Sequence, residues 1–201
     1  TYAGAKACAP CHAEALACAG KSAQAARAFE QLAAVAPAER RFDLRRHAAD
    51  QYLKSYDVGP GRAMARAVLV DVGVRIPHSL LLQILSLLWQ RFLFRLRGTK
   101  WRDRQGTAKV LRRIDACLSL GAALVTLDAL PALSLSTRGT RLALGAGDRL
   151  RVVRGLAFEA SYMAAAVGHR ARPRVGALLQ QVDEAARDAG HALDLAQHVQ
   201  L

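Results

Sequence analysis

Glycines and prolines interrupt this chain at helix-length intervals, and that punctuation limits what it can fold into. Gly20, Pro37, the stretch from Tyr56 to Pro60, Pro77, Gly98, Gly106, Pro131, Gly139, Gly145 to Gly147, Gly168 and Pro173 all break helical patterns. Between them lie segments of about 12 to 20 residues with helical periodicity, the length of ordinary globular helices. No run alternates strictly between apolar and polar residues over several cycles, so no strand is assigned. Hydrophobic residues make up 52% of the chain and aromatics only 5%, with alanine and leucine dominant, which also favours helix over sheet. Helices joined by short turns pack as antiparallel pairs. The expectation is an all-α array of antiparallel hairpins, a tetratricopeptide-like α-solenoid of about nine helices.

The expected organisation is one helical-repeat domain over 1–201. A tetratricopeptide-like hairpin is placed at 11–37 and further helical pairs at 38–97 and 108–167. The stretch 172–201 is read as the truncated start of a next repeat. The hairpin rests on Ala25, Phe29, Leu32 and Pro37. These supply a small residue where two helices touch, an aromatic filling the groove, a further core position and a helix-ending proline. The repeat usually has a small residue where Leu32 stands, and no second copy is clean. On this reading Gly20-Lys21-Ser22 is a turn, with Gly20 as the left-handed C-cap and Ser22 as the next N-cap. A phosphate-binding loop is excluded, because Ala15 stands where its first glycine belongs.

Cys8, Cys11 and His12 spell the C-x-x-C-H of covalently attached haem, with Met64, Met163 or His47 as conceivable second ligands. With Cys18 the same residues have the chemistry of a zinc set. The expectation is nevertheless no cofactor and no metal: Cys11 and Cys18 are seven positions apart on one helix face. Cys117 falls in an apolar run and reads as a small buried hydrophobe. Four cysteines are too few for a disulfide scaffold, so a reducing cytoplasm is the expected compartment.

The stretch SLLLQILSLLWQRFLFRL at 79–96 is superficially membrane-like, but Gln83, Gln90, Arg91 and Arg95 interrupt it. It is expected to be a core helix whose arginines emerge at one end, and no membrane span is assigned. Net charge is +13, drawn from 29 lysines and arginines, and attracts acidic partners, anionic lipid or nucleic acid. The densest cluster is RFLFRLRGTKWRDRQGTAKVLRR at 91–113, where Asp103 is the only acid. Arg91, Arg95, Arg97, Lys100, Arg102 and Arg104 are the candidate interaction patch. Nucleic acid is an alternative partner, with phosphates on the arginines and bases stacked on Phe92, Phe94 or Trp101. In the plainer account Phe92 and Trp101 close a hairpin core and arginines coat its outside. Asp115 and Asp128 sit in apolar runs, each expected to pair with an arginine from a neighbouring helix. No Ser-His-Asp or two-carboxylate constellation is present, so no catalytic residue is assigned.

Several stretches together resemble a known family. They are FDLRRHAADQYLKSYDVGPGRAMARAVLVDVGVRIP, then LLLQILSLLWQRFLFRLRGTKWRDR, then RIDACLSLGAALVTLDALPALSLSTRGTRLALGAGDRLRVVRGLAFEASYMAAAVG. Their order resembles the long helical region that follows the kinase and ATPase modules of large bacterial serine/threonine protein kinases of the myxobacterial type. The resemblance covers roughly residues 11–185, and LRRHAADQYLKS, FRLRG and RIDACLSLG are its most specific parts. It implies a non-catalytic protein-interaction and regulatory segment, contacting a protein partner or the parent's own kinase or ATPase domains. No glycine-rich kinase loop, H-R-D, D-F-G or Walker lysine accompanies it. Tyr56 stands where the family usually has glycine, and C-x-x-C-H is not a family feature.

Overall fold

The computed structural model describes residues 3–198, and the side chains of residues 10–187. It consists of α1 (Ala3–Cys18), α2 (Ser22–Val35), α3 (Ala38–Lys54), α4 (Val58–Asp71), α5 (Leu80–Arg97), α6 (Ala108–Leu124), α7 (Ala129–Ala146) and α8 (Arg149–Val167). A short 3-10 turn (Gly168–Ala171) then leads into α9 (Arg172–His198). Among the described residues there is no strand, and no helix is long and apolar enough to cross a membrane.

Three helices end in the same hydrogen-bonded turn. After α1, Gly20 takes φ +73°, its N–H reaches Ala17 O at 3.1 Å and the Lys21 N–H reaches Leu16 O at 2.9 Å. This is the Schellman arrangement, which satisfies carbonyls that the helix leaves without partners. Gly73 repeats it after α4, with Gly73 N to Val70 O at 2.9 Å and Val74 N to Leu69 O at 2.8 Å. Tyr56 repeats it after α3 at φ 60°, a left-handed conformation that is unfavourable for a residue with a Cβ. The Gly20 C-cap expectation holds. Ser22 is corrected by one position: it is the first residue of α2, Lys21 is the N-cap, and no side chain caps this end.

Packing follows chain order from α1 to α4 and then departs from it. Ala13, Ala25, Phe29 and Ala48 form a small core where α1, α2 and α3 meet, so Ala25 and Phe29 occupy the interior positions expected of them. Leu32 is half-buried at its margin. A second core joins Leu53, Val68, Leu69 and Val74 to Cys117, Leu120, Leu124 and Leu135. A third gathers Ile114, Leu118, Leu144, Val152, Leu156 and Leu178, with Phe94 and Trp101 partly buried against it. Helix α6 contributes to both larger cores, packing against α3, α4 and α7, so α4 meets α6 rather than α5. Helix α5 lies outside this stack along α7. The stretches 38–97 and 108–167 therefore each hold three helices rather than simple pairs.

Glycine sets the closest helix approach. A Cβ on Gly121 of α6 would stand 3.1 Å from both Ala132 O and Ser136 N of α7, and would overlap Ser136 Oγ. Gly155 of α8 leaves the same kind of room for Thr140 of α7, whose Cα lies 3.0 Å from where a Cβ would be. Thr140 Oγ1 accordingly donates to Ser136 O at 2.8 Å within its own helix. Both acids in apolar surroundings have found the expected arginines. Arg151 grips Asp115 through Nε at 2.8 Å and Nη2 at 2.6 Å, and Arg62 reaches Asp128 at 3.4 Å.

Candidate interaction surface

The segment 98–107 between α5 and α6 has no regular secondary structure, yet several bonds hold it in place. Arg97, in the last turn of α5, donates from Nη1 to Lys100 O at 2.7 Å and from Nη2 to Leu144 O at 2.8 Å. The Arg104 N–H donates to Gly147 O at 3.1 Å. Arg149 donates to Asp103 from Nε at 3.1 Å, with Nη2 at 2.5 Å from the same oxygen. Trp101 rests half-buried on the third core. Gly147 has φ +74°, and any Cβ there would collide with Arg102 O, so the segment lies directly against the α7–α8 turn.

A cleft of about 640 Å³ opens here, lined by Arg97, Lys100, Trp101, Arg102, Arg104 and Gln181 among others. Four of the six expected patch residues thus share one site. Lys100, Arg102 and Arg104 are exposed, as is Arg95 on α5. Among the described residues no carboxylate is within ion-pair distance of these four, since Asp103 is held by Arg149. Arg97 serves the backbone, with carbonyl bonds to Gly98, Lys100 and Leu144, and forms the wall of the cleft.

Arg91 is placed elsewhere, as a correction to the expected patch. Its Nη1 lies 2.6 and 2.7 Å from the two oxygens of Glu159 on α8, and its guanidinium carbon sits 4.2 Å from the centre of the Tyr162 ring. Glu159 is buried, so this pair ties α5 to α8 inside the protein.

Helix α5 also departs from the core helix expected. The side it turns to the bundle mixes half-buried Leu87, Leu93 and Phe94 with polar groups: Ser86 Oγ meets Ser134 Oγ at 3.1 Å, Gln90 accepts from Arg141 at 3.5 Å, and Arg91 holds Glu159. Among the described residues of α5, Gln90 is the one buried outright. Leu81, Leu85, Leu88, Trp89, Phe92 and Leu96 face outward, with Leu88 at 59%, Trp89 at 57% and Leu96 at 69% exposure. The rings of Trp89 and Phe92 stack at 5.8 Å. Phe92 therefore closes no core, whereas Trp101 does. An amphipathic helix normally buries its apolar stripe, and here the stripe faces solvent. The sequence carried a trace of this, because Gln83, Ser86, Gln90 and Arg97 recur at steps of three, four and seven.

The C-x-x-C-H residues lie on α1, where Cys11, His12 and Cys18 are exposed and the side chain of Cys8 is outside the described residues. No three His, Cys, Asp or Glu side chains come together in a metal-holding group among the described residues. Of the conceivable second haem ligands, Met64 packs on the first two cores and Met163 on the third, while His47 stacks on Phe29 at 5.2 Å. Cys117 is buried, which pushes its thiol up to about 12. In comparisons with family models, curated proteins and solved structures, no significant match to the chain was found.

Proposed function

We propose that this chain is a non-catalytic binding module whose contact surface is the outward face of α5 together with the cationic cleft at its C-terminal end. The observation that carries this reading is the orientation of α5: a leucine-rich face lies open while polar groups are spent on the bundle. Contiguous exposed apolar surface marks an interaction site more often than chance composition does. The resemblance to the helical regions of kinase–ATPase regulators supports a protein partner, and a tetratricopeptide-like scaffold is part of the same reading. Exposed Cys11 and Cys18 suit a reducing cytoplasm.

A photocrosslinking residue at position 88, introduced in the organism that encodes the chain, tests the surface. A discrete adduct is expected, identified by mass spectrometry and re-bound as purified protein, with none from the same residue at exposed Leu150. Equal crosslinking from both positions would refute the assignment. The parent is tested in the gene upstream of Thr1, where a kinase signature is expected.

A second reading is favoured by Lys100, Arg102 and Arg104 around one cleft, without an ion-pair partner among the described residues: nucleic-acid binding through phosphates. A salt titration against random DNA separates the two. Micromolar affinity that falls steeply with salt supports the nucleic-acid reading, and its absence supports the protein partner.

A further inference from the structure

The partner's chemistry follows from what surrounds the open face of α5. Leu81, Leu85, Leu88, Phe92 and Leu96 recur at steps of four, three, four and four. That spacing makes a stripe running about 22 Å along one side of a single helix. Another helix with the same spacing would cover it by interleaving side chains, as in helix-pair packing.

Charge narrows the choice. Helix α5 contains no acidic residue, and its cations Arg91, Arg95 and Arg97 all lie in its C-terminal half. Arg95 stands on the helix, and Lys100 and Arg102 follow in the pinned segment, none with an ion-pair partner among the described residues. Arg75 is exposed just before the helix. A second copy of the chain does not complement this: paired parallel, it sets these cations against each other, and paired antiparallel it sets them against a helix N-terminus, itself partially positive. A lipid surface fits less well too. A helix lying in a membrane interface carries cations along the length of its polar face. In α5 that face is turned into the protein, and Arg91 is already neutralised by Glu159. Nucleic acid could stack on Trp89 and Phe92 but would leave Leu81, Leu85, Leu88 and Leu96, the greater part of the stripe, without a complementary surface.

We infer that α5 receives an acidic amphipathic helix of a partner protein, which lies along Leu81–Leu96 and places its carboxylates beside Arg95, Lys100 and Arg102. This rests on the binding-module reading above and adds the chemistry of the partner.

The test uses the full chain and two labelled synthetic peptides of about 18 residues, roughly the length of α5. They carry leucines at the same spacing, with glutamate on the remaining positions of one and lysine on those of the other. Fluorescence anisotropy is expected to show the glutamate peptide binding at least about tenfold more tightly than the lysine peptide. Leu88→Asp and Phe92→Asp should each weaken the glutamate peptide by at least about tenfold, and the triple reversal R95E/K100E/R102E should invert the preference. All these side chains are exposed, and an unchanged thermal melt confirms that each variant folds. Equal or tighter binding of the lysine peptide overturns the inference, as does indifference to the α5 substitutions. So does a dimer in sedimentation that Leu88→Asp dissolves, or α5-dependent binding to phosphatidylglycerol vesicles without peptide binding. If position 88 crosslinks a partner but the glutamate peptide does not bind, only the acidic-helix inference falls. If position 88 crosslinks nothing specific, the binding-module reading falls with it.

Discussion

Arg91 of α5 and Glu159 of α8 hold each other across the interior, with one guanidinium nitrogen 2.6 and 2.7 Å from the two carboxylate oxygens. The contact fixes the rotation of α5 about its axis, and so decides which side of that helix meets solvent. Arg91 cannot be turned outward without leaving a carboxylate buried and unpaired, and leucines cannot be turned inward without displacing it. Replacing Arg91 by alanine should cost about 3 kcal/mol in urea unfolding at pH 7, because Glu159 then keeps its desolvation penalty without its partner. Glu159→Gln should cost less, since an amide oxygen still accepts and the partly exposed arginine can still reach water. A loss below about 0.5 kcal/mol for Arg91→Ala would show that the pair does not anchor the helix.

Tyr56 closes α3 in a left-handed conformation that glycine adopts without strain. Its ring is two-thirds exposed, so little packing is lost on removal. Tyr56→Gly should raise stability by about 1 kcal/mol, seen as a higher urea midpoint with an unchanged slope. Gly73→Ala should move the midpoint the other way by a similar amount, because Gly73 has φ +72° and the new methyl would sit 3.1 Å from an Arg113 nitrogen.

The α6–α7 seam is closed by Gly121. Alanine there meets Ala132 O and Ser136 N, both backbone, so rotating the serine hydroxyl cannot relieve the crowding. A destabilisation of about 2 kcal/mol is expected for Gly121→Ala by thermal or urea unfolding. Gly145→Ala is the control, since nothing lies within 4 Å of its added methyl.

Stability should fall on both sides of a plateau near neutral to mildly alkaline pH. Burial, then the neighbouring Arg46 charge, hold the His47 pKa below its ordinary 6.5, against the pull of Asp50, Asp43 and Glu14. Arg46 Nη2 donates to His47 Nε2 at 3.0 Å, a bond that needs the neutral ring. Below pH 6.5 the unfolded imidazole takes a proton that the folded ring resists, so the unfolded state gains and stability drops as pH falls. His47→Gln should flatten the difference between urea midpoints measured at pH 7.5 and 5.5. On the alkaline side, burial lifts Cys117 to about 12, and burial with the Glu30 hydrogen bond lifts Tyr52 to about 12. Both protons are held more tightly in the folded chain, so stability declines as pH rises above about 9, where an unfolded thiol begins to ionise. Cys117→Ala should weaken that alkaline slope.

Local features of this fold were legible in the sequence and the rotation of one helix was not. Ala25 and Phe29 announced their burial because a small residue and an aromatic four apart can share one helix face. Asp115 announced an arginine because a carboxylate among apolar neighbours needs a counter-charge, and Arg151 supplies it. Helix α5 is apolar around most of its circumference, so the sparse recurrence of Gln83, Ser86, Gln90 and Arg97 does not by itself decide its facing. The choice is made by Glu159, 68 positions away in the chain. Arg97 falls among the expected contact cations because nothing in a sequence signals a guanidinium bonded to backbone carbonyls. Ser22 lies one residue inside α2 because the Lys21 carbonyl already accepts from the Gln24 and Ala25 N–H groups, which makes Lys21 the N-cap.

The carbonyl clamp of Arg97 and the contact of Arg104 with Gly147 bear on recognition kinetics. A tethered arm of lysine and arginine would have to be frozen when a partner arrives, and that ordering would weaken the complex. Here Lys100 and Arg102 are already presented on a fixed arc. The acidic partner proposed above would meet a finished template, so encounter would not wait for a disordered strand to settle.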